Sequence, residues 1–277
     1  MHAVDLLEQI GRNCVGAIQL LPVDAQPPDI HRIDAEALTH AQVERLLDQT
    51  ISEPAPGMPD DQDLRTSIAG AQEKTALLWH QNQWCKPLGP IPTTHIFKLP
   101  LGGVGGMRAD FSTSVENEWL CAEIIREFGQ SIANSQITLF RLHKSLVVER
   151  FDRRMVDNTW WARLPQEDFC QVLGIASEKK YEERDGPKMF QWQKVKLAMA
   201  VRANNAHYRM AHIQRRHWNE VAKSNGVGSA LEPVMHQFIT QIPRVLEAVS
   251  ARLPAGFPTG VSEPIFNGLF AQTKRLG

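Results

Sequence analysis

The chain holds 277 residues, 43% of them hydrophobic and 22% charged, with a net charge of −1. This is ordinary globular composition for one large domain or two small ones, and it excludes collagen-like, coiled-coil and low-complexity chains. No apolar run approaches the ~18 residues of a membrane helix, and Asp5 and Glu8 break the start where a signal peptide needs an apolar core, so the sequence predicts a cytoplasmic protein with no membrane partner.

Val4, Leu6, Leu7 and Ile10 open the chain at helical spacing, and an apolar run from Val15 to Leu21 follows. A start inside a core pattern predicts that a preceding part of the fold is absent from this chain. Residues 22–37 read as a Pro and Asp loop, Thr39 as the cap of a short helix to about Asp48, and Glu53 to Asp60 as a turn-rich linker. Short apolar strands are predicted at Lys74 to Trp79, Thr94 to Lys98, Gln136 to Leu142 and Ser145 to Arg150. Between the second and third lies a helix capped by Ser114 and ended by Gly129, with Trp119, Leu120, Ile124, Ile125 and Phe128 as its buried face. After Pro165 nearly everything reads as helix, near 166–174, 209–224, 231–252 and 263–275. The expected fold is α+β, a small β-sheet lobe with one packed helix over 1–150 and a mostly helical lobe over 151–277.

The net charge hides an asymmetry. Residues 187–277 carry 12 Lys and Arg against only Glu220, Glu232, Glu247 and Glu263, a balance of +8, so residues 1–186 carry −9. The basic part is either a solvated helical surface or a face for an acidic partner or DNA phosphates. Cys14, Cys85, Cys121 and Cys170 form no C-x-x-C pair, and His207, His212 and His217, five apart, step around a helix instead of sharing one face. No metal site is expected from them.

Two segments carry possible phosphate chemistry. Ser67 to Lys74 is a short loop with Ala69, Gly70 and Ala71, whose small side chains let backbone N–H groups approach phosphate oxygens; by spacing alone it reads as a plain turn. Lys98 stands on an otherwise apolar strand, either snorkelling at an edge or aimed at a phosphate, and Glu118 on the following helix offers a carboxylate to hold it.

Several strings together resemble the HipA family of bacterial serine/threonine kinase toxins: Asp5-Leu-Leu-Glu-Gln-Ile-Gly-Arg, Ala69-Gly-Ala-Gln-Glu-Lys-Thr-Ala-Leu, Pro92-Thr-Thr-His-Ile-Phe-Lys-Leu-Pro, Glu116-Asn-Glu, Val148-Glu-Arg-Phe-Asp-Arg-Arg and Arg163-Leu-Pro-Gln-Glu-Asp-Phe-Cys-Gln. The resemblance implies a two-lobed kinase-like fold with ATP and magnesium as cofactors, aminoacyl-tRNA synthetases as substrates, and a HipB-like helix-turn-helix antitoxin as partner, with DNA reached through that antitoxin. It also implies residue roles. Ala69, Gly70, Ala71, Gln72, Glu73 and Lys74 would form the phosphate loop, and Ser67 would be the autophosphorylated serine. Lys98 would neutralise ATP phosphates with Glu118 as its holder, while Glu149, Arg150 and Phe151 would form the hinge beside adenine.

The sequence departs from the family where the chemistry is done. A D-G-H-x-x-N catalytic loop and a second metal-binding Asp belong after the helix near Phe190 to Trp192, yet the last Asp of the chain is Asp185. Asn204-Asn205-Ala-His207 offers hydrogen bonds but no carboxylate, so it supplies neither a base nor a strong magnesium ligand. The expectation is a kinase relative impaired in phosphoryl transfer, with no catalytic residue and no metal ligand to name, or alternatively a non-catalytic pseudokinase module that binds nucleotide or an antitoxin.

Overall fold

A computed structural model of the chain describes residues 14–21, 24, 26, 29–51, 72–103, 110–172, 174, 196–202, 205–209, 212–228 and 231–277. The described residues fall into two compact units, one within Met1–Ala122 and Ser131–Gln166, the other within Glu123–Gln130 and Glu167–Gly277.

The first unit is built on a six-stranded antiparallel sheet. Its strands are β1 (Ala35–Ala37), β2 (Lys74–His80), β3 (Gln83–Pro87), β4 (His95–Lys98), β7 (Ser135–Phe140) and β8 (His143–Glu149), in the order β1-β3-β2-β4-β8-β7. Two short hairpins accompany it, β5 (Gly102–Gly103) with β6 (Asp110–Phe111) and β9 (Arg153–Val156) with β10 (Trp160–Arg163). Sequence reading missed β3: its hairpin turn, Gln81-Asn82, has both residues at positive φ (48° and 62°), the primed geometry that suits the strand twist but lacks the usual glycine.

Strand alternation gives the sheet two distinct faces. Leu77, Phe97 and Val147 lie on one face and join Val43 and Leu47 of helix α1 (His40–Ile51), with Trp84, Leu99 and Phe140, in the main core. Thr39 starts α1 as expected: its Oγ1 accepts Gln42 N–H at 3.3 Å while Gln42 Oε1 accepts Thr39 N–H at 2.9 Å, a reciprocal cap. Helix α2 (Ser114–Glu127) lies over the other face, where Glu116 pairs with Lys144 and Glu118 with Lys98. Its end is as read from sequence, for Gly129 takes φ 79° and Gln130 N–H reaches back to Ile125 C=O at 3.3 Å. Its start differs. The Ser114 hydroxyl accepts Leu101 N–H at 3.0 Å, and the helical ladder opens from Thr113 C=O to Asn117 N–H. Trp119, Leu120 and Ile124 are buried, as is Val115, whereas Ile125 is exposed.

The second unit holds the last turn of α2, the single-turn α3 (Phe169–Val172), a hairpin of β11 (Lys196–Arg202) with β12 (Ala206–Arg209), and helices α4 (Arg215–Ser224), α5 (Leu231–Ser250) and α6 (Thr259–Leu276). The hairpin corrects the expectation that nearly everything after Pro165 is helix: Lys196 to Arg202 is a short apolar run, which periodicity cannot assign to helix or strand. It also puts two of the histidines on different elements, face to face. His207 lies on β12 and His217 on α4, and their rings stack with centroids 3.8 Å apart. His217 Nδ1 accepts Gln214 N–H at 3.1 Å, and burial, then His207, then Arg216 hold the His217 pKa below its ordinary value. On α5, Val234 and Phe238 are exposed while Ile242 is buried.

Candidate functional site

Lys98 ends β4 and is paired in register with Lys74 at the start of β2, which places two lysines side by side on the α2 face. Adjacent like charges repel, and the nearby carboxylates of Glu73 and Glu118 offset that repulsion at Lys74. Glu118 supplies one carboxylate through its ion pair with Lys98 Nζ, in a half-exposed setting where the two side chains keep 25% and 40% of their accessibility. Lys74 Nζ donates to Gln72 C=O, and burial followed by the neighbouring Lys98 charge lowers the Lys74 pKa. The start of β2 is fixed from both sides: Gln72 Nε2 donates to Leu99 C=O at 2.7 Å, and Leu99 N–H donates to Glu73 C=O at 3.1 Å. Cys121, one turn beyond Glu118, has its thiol pKa raised by burial and then by the Glu118 charge.

Of the expected site residues, Gln72, Glu73, Lys74, Lys98 and Glu118 are thus brought to the joined ends of β2 and β4 and to α2. Ser67, Ala69, Gly70 and Ala71 lie outside the described residues. The three expected hinge residues point three ways. Glu149 is paired with His95, so its side chain stands on the face opposite Lys98, where Asn134 Nδ2 donates to its Oε2 at 2.9 Å. A recess of about 180 Å³ lies there, lined by His95, Asn134, Ser135, Gln136, Val147 and Glu149. Thr94 Oγ1 accepts Trp79 N–H at 2.8 Å and lies 2.9 Å from His95 Nδ1, and burial lowers the His95 pKa. Phe151 is 69% exposed.

Arg150 turns inward, and sequence reasoning missed the network it joins. Its Nε and Nη2 grip Asp152 at 3.0 and 2.8 Å, its Nη1 donates to Thr93 Oγ1 at 3.0 Å, and its N–H donates to Thr94 C=O at 2.8 Å. Arg153 donates to Gly16 C=O at 2.9 Å and Cys14 C=O at 2.9 Å, and Asp152 Oδ2 accepts Gly16 N–H at 2.7 Å. Burial raises the Asp152 carboxyl, but the Arg150 bonds and charge and then Arg153 more than offset it and leave it below the usual range. Burial, then Arg150, pushes Arg153 down to about 9. The only sequence signal was the Arg-x-Asp-Arg spacing in a segment bounded by strands.

No Asp follows Asp185, and among the described residues no three acidic, His or Cys side chains are grouped to hold a metal.

A family model, the HipA-like C-terminal domain, matches residues 66–195. A putative kinase, Y4mE, of Sinorhizobium fredii is 33% identical over 185 residues, covering 66% of this chain and 42% of that protein. The serine/threonine-protein kinase toxin HipA of Shewanella oneidensis is 31% identical over 186 residues, covering 65% of this chain and 39% of that protein. The chain therefore spans about two fifths of the length of these curated relatives. A solved structure, the Shewanella oneidensis MR-1 toxin–antitoxin complex of HipA, HipB and operator DNA, matches over 99% of this chain and 79% of its own with a TM-score of 0.73 at 18% identity. Residues 66–195 thus resemble the HipA-like C-terminal domain, and the chain shares the fold of that solved structure.

Proposed function

We propose that this chain is a HipA-like serine/threonine kinase relative that binds the phosphates of ATP through Lys98 and Lys74 but is impaired in phosphoryl transfer. The carrying observation is the in-register Lys74–Lys98 pair, with Glu118 ion-paired to Lys98. Two cations held by a sheet form a phosphate clamp that is charged and oriented before ligand arrives. ATP would lay its phosphates along the ends of β2 and β4, with the loop at Ala69 to Ala71 supplying backbone donors and the exposed Phe151 available to cover the adenine. Chemistry stops there. Transfer to a hydroxyl needs a base and a metal carboxylate, and the chain has no Asp after Asp185.

In this reading the protein works in the cytoplasm, aminoacyl-tRNA synthetases are the substrates of active relatives, and Ser67 is the position they would autophosphorylate. A HipB-like antitoxin is the partner, and the +8 balance of residues 187–277 favours a complex placed near operator DNA. The non-catalytic module is the same site with binding as its whole output. The test is labelled-ATP incorporation with and without magnesium, beside calorimetry with ATP in EDTA. Weak binding that is indifferent to magnesium and lost in Lys98→Ala, with no incorporation, is the expected result. Magnesium-dependent labelling that disappears in Lys98→Ala would show an active kinase and overturn the impairment.

A further inference from the structure

Two histidines that the nucleotide reading does not use meet inside the second unit. His207 on β12 and His217 on α4 stack their rings nearly parallel, with centroids 3.8 Å apart and 13° between the planes. His207 is half-buried, and His217 is only 6% exposed. Both nitrogens of the buried ring face donors. Nδ1 accepts Gln214 N–H at 3.1 Å, and Arg216 Nε lies 3.3 Å from Nε2. The His217 N–H in turn donates to Gln214 C=O at 3.0 Å, so the ring and backbone of one residue together close the first turn of α4.

This arrangement requires an uncharged ring. A neutral imidazole has one lone pair to offer a donor and a protonated one has none, so a proton on His217 would turn N–H groups toward both Gln214 N–H and Arg216 Nε. The setting adds to the cost. His217 lies in the first turn of α4, at the positive pole of the helix dipole, with the Arg216 charge beside it. Glu220, one turn on, favours the charged ring, whereas Glu232 of α5 is taken by Arg215 and Asn219. The charged residues that the hairpin brings are cations, Lys196, Arg202 and Arg209. Burial, then His207, then Arg216 outweigh Glu220 and hold the His217 pKa below its ordinary 6.5. The neutral ring is therefore favoured on folding. Its contribution is complete above pH ~6.5 and is lost as pH falls through the lower folded value.

We propose that the His207–His217 stack is an acid-released latch: a proton taken up by His217 undoes the first turn of α4 and frees the β11–β12 hairpin that the stacked rings hold. The proton comes from solvent and settles on Nδ1, which leaves Gln214 N–H without an acceptor. Charge on both rings would then repel at contact distance and drive the stack apart. Release is local, because Arg215 and Asn219 keep α4 tied to Glu232 of α5 by bonds that involve neither histidine. The latch is independent of any ligand at Lys98.

The test follows wild type, His217→Gln and His207→Ala between about pH 8 and pH 5, the range in which histidine charges. It reads the His217 ring resonances and amide exchange at residues 206–209 and 214–218, corrected for the intrinsic pH dependence of exchange. In wild type the ring should titrate below 6.5, and exchange in both segments should quicken about threefold or more through the same transition. A glutamine at the third helical position keeps an uncharged acceptor for the Gln214 N–H, so His217→Gln should hold the helix start at both ends of the range and lose the acid step. His207→Ala should exchange quickly at 206–209 throughout while keeping the acid step at 214–218. A His217 ring that titrates at or above 6.5, an acid step absent from wild type, or one that persists in His217→Gln overturns the latch. If His217→Gln does not fold, wild type alone decides: ring titration and exchange step with one midpoint support the latch, and separate midpoints overturn it.

Discussion

Two clusters of cations in the first unit are neutralised in opposite ways. Arg150 and Arg153 are buried, share the buried carboxylate of Asp152, and spend their remaining N–H groups largely on Thr93 and on the carbonyls of Cys14 and Gly16. Lys74 and Lys98 stand side by side at strand ends, with the half-exposed Glu118 paired to Lys98. The difference separates structure from function. Cations whose donors are largely spent on buried groups of the protein have little left for a ligand, whereas two lysines that repel each other at half-exposed strand ends gain from an arriving anion.

Breaking the buried cluster gives the largest expected effect. Asp152→Asn removes the charge that compensates both guanidinium groups and should destabilise the first unit by about 3–5 kcal/mol in denaturant unfolding, the usual cost of orphaning a buried ion. The same carboxyl predicts acid sensitivity. Its folded pKa is depressed from an ordinary 3.8, so its contribution is complete above pH ~4 and is lost as pH falls through the lower folded value. Wild type should lose stability over that acid window, and Asp152→Asn should not lose this component.

The strap that the arginines hold gives the next effect. Gly16 has φ +69°, and a Cβ there would meet the Gln166 backbone N at 3.2 Å. Gly16→Ala therefore combines left-handed strain with a backbone contact that must give way, and should cost about 1–2 kcal/mol. An unfolding midpoint equal to wild type would mean that residues 14–20 are not held as described.

Legibility in the sequence followed the range of the interactions. Thr39 as a cap, Gly129 as a helix end and Lys98 as an isolated cation on a strand were readable because each depends on near neighbours in the chain. Glu118 as the partner of Lys98 was readable because its helix starts soon after that strand. The position of Lys74 beside Lys98 was not, since it depends on a β2–β4 register that no local pattern fixes. Nor was the Asp152 network, which joins Cys14 and Gly16 to a segment more than 130 residues away. The hinge reading of Glu149, Arg150 and Phe151 came from the family resemblance, and the side of the sheet on which the Glu149 side chain stands depends on strand register. The hairpin of β11 and β12 was misread because a short apolar run carries no decisive period.

The smallest stability effect is expected where the functional effect is greatest. The Lys98–Glu118 pair is half-exposed, and pairs of that kind contribute only about 0–1 kcal/mol after solvent screening. Lys98→Ala and Glu118→Gln should therefore unfold within about 1 kcal/mol of wild type in the absence of ligand. Pyrophosphate in EDTA should then divide the variants. It should raise the unfolding midpoint of wild type, raise that of Glu118→Gln less, and leave Lys98→Ala unmoved, because the lysine touches the anion while the glutamate only directs it. Equal pyrophosphate shifts in all three proteins would place the anion elsewhere. A stability loss in Lys98→Ala as large as that of Asp152→Asn would make Lys98 a structural cation like Arg150, and the contrast between the two clusters would disappear.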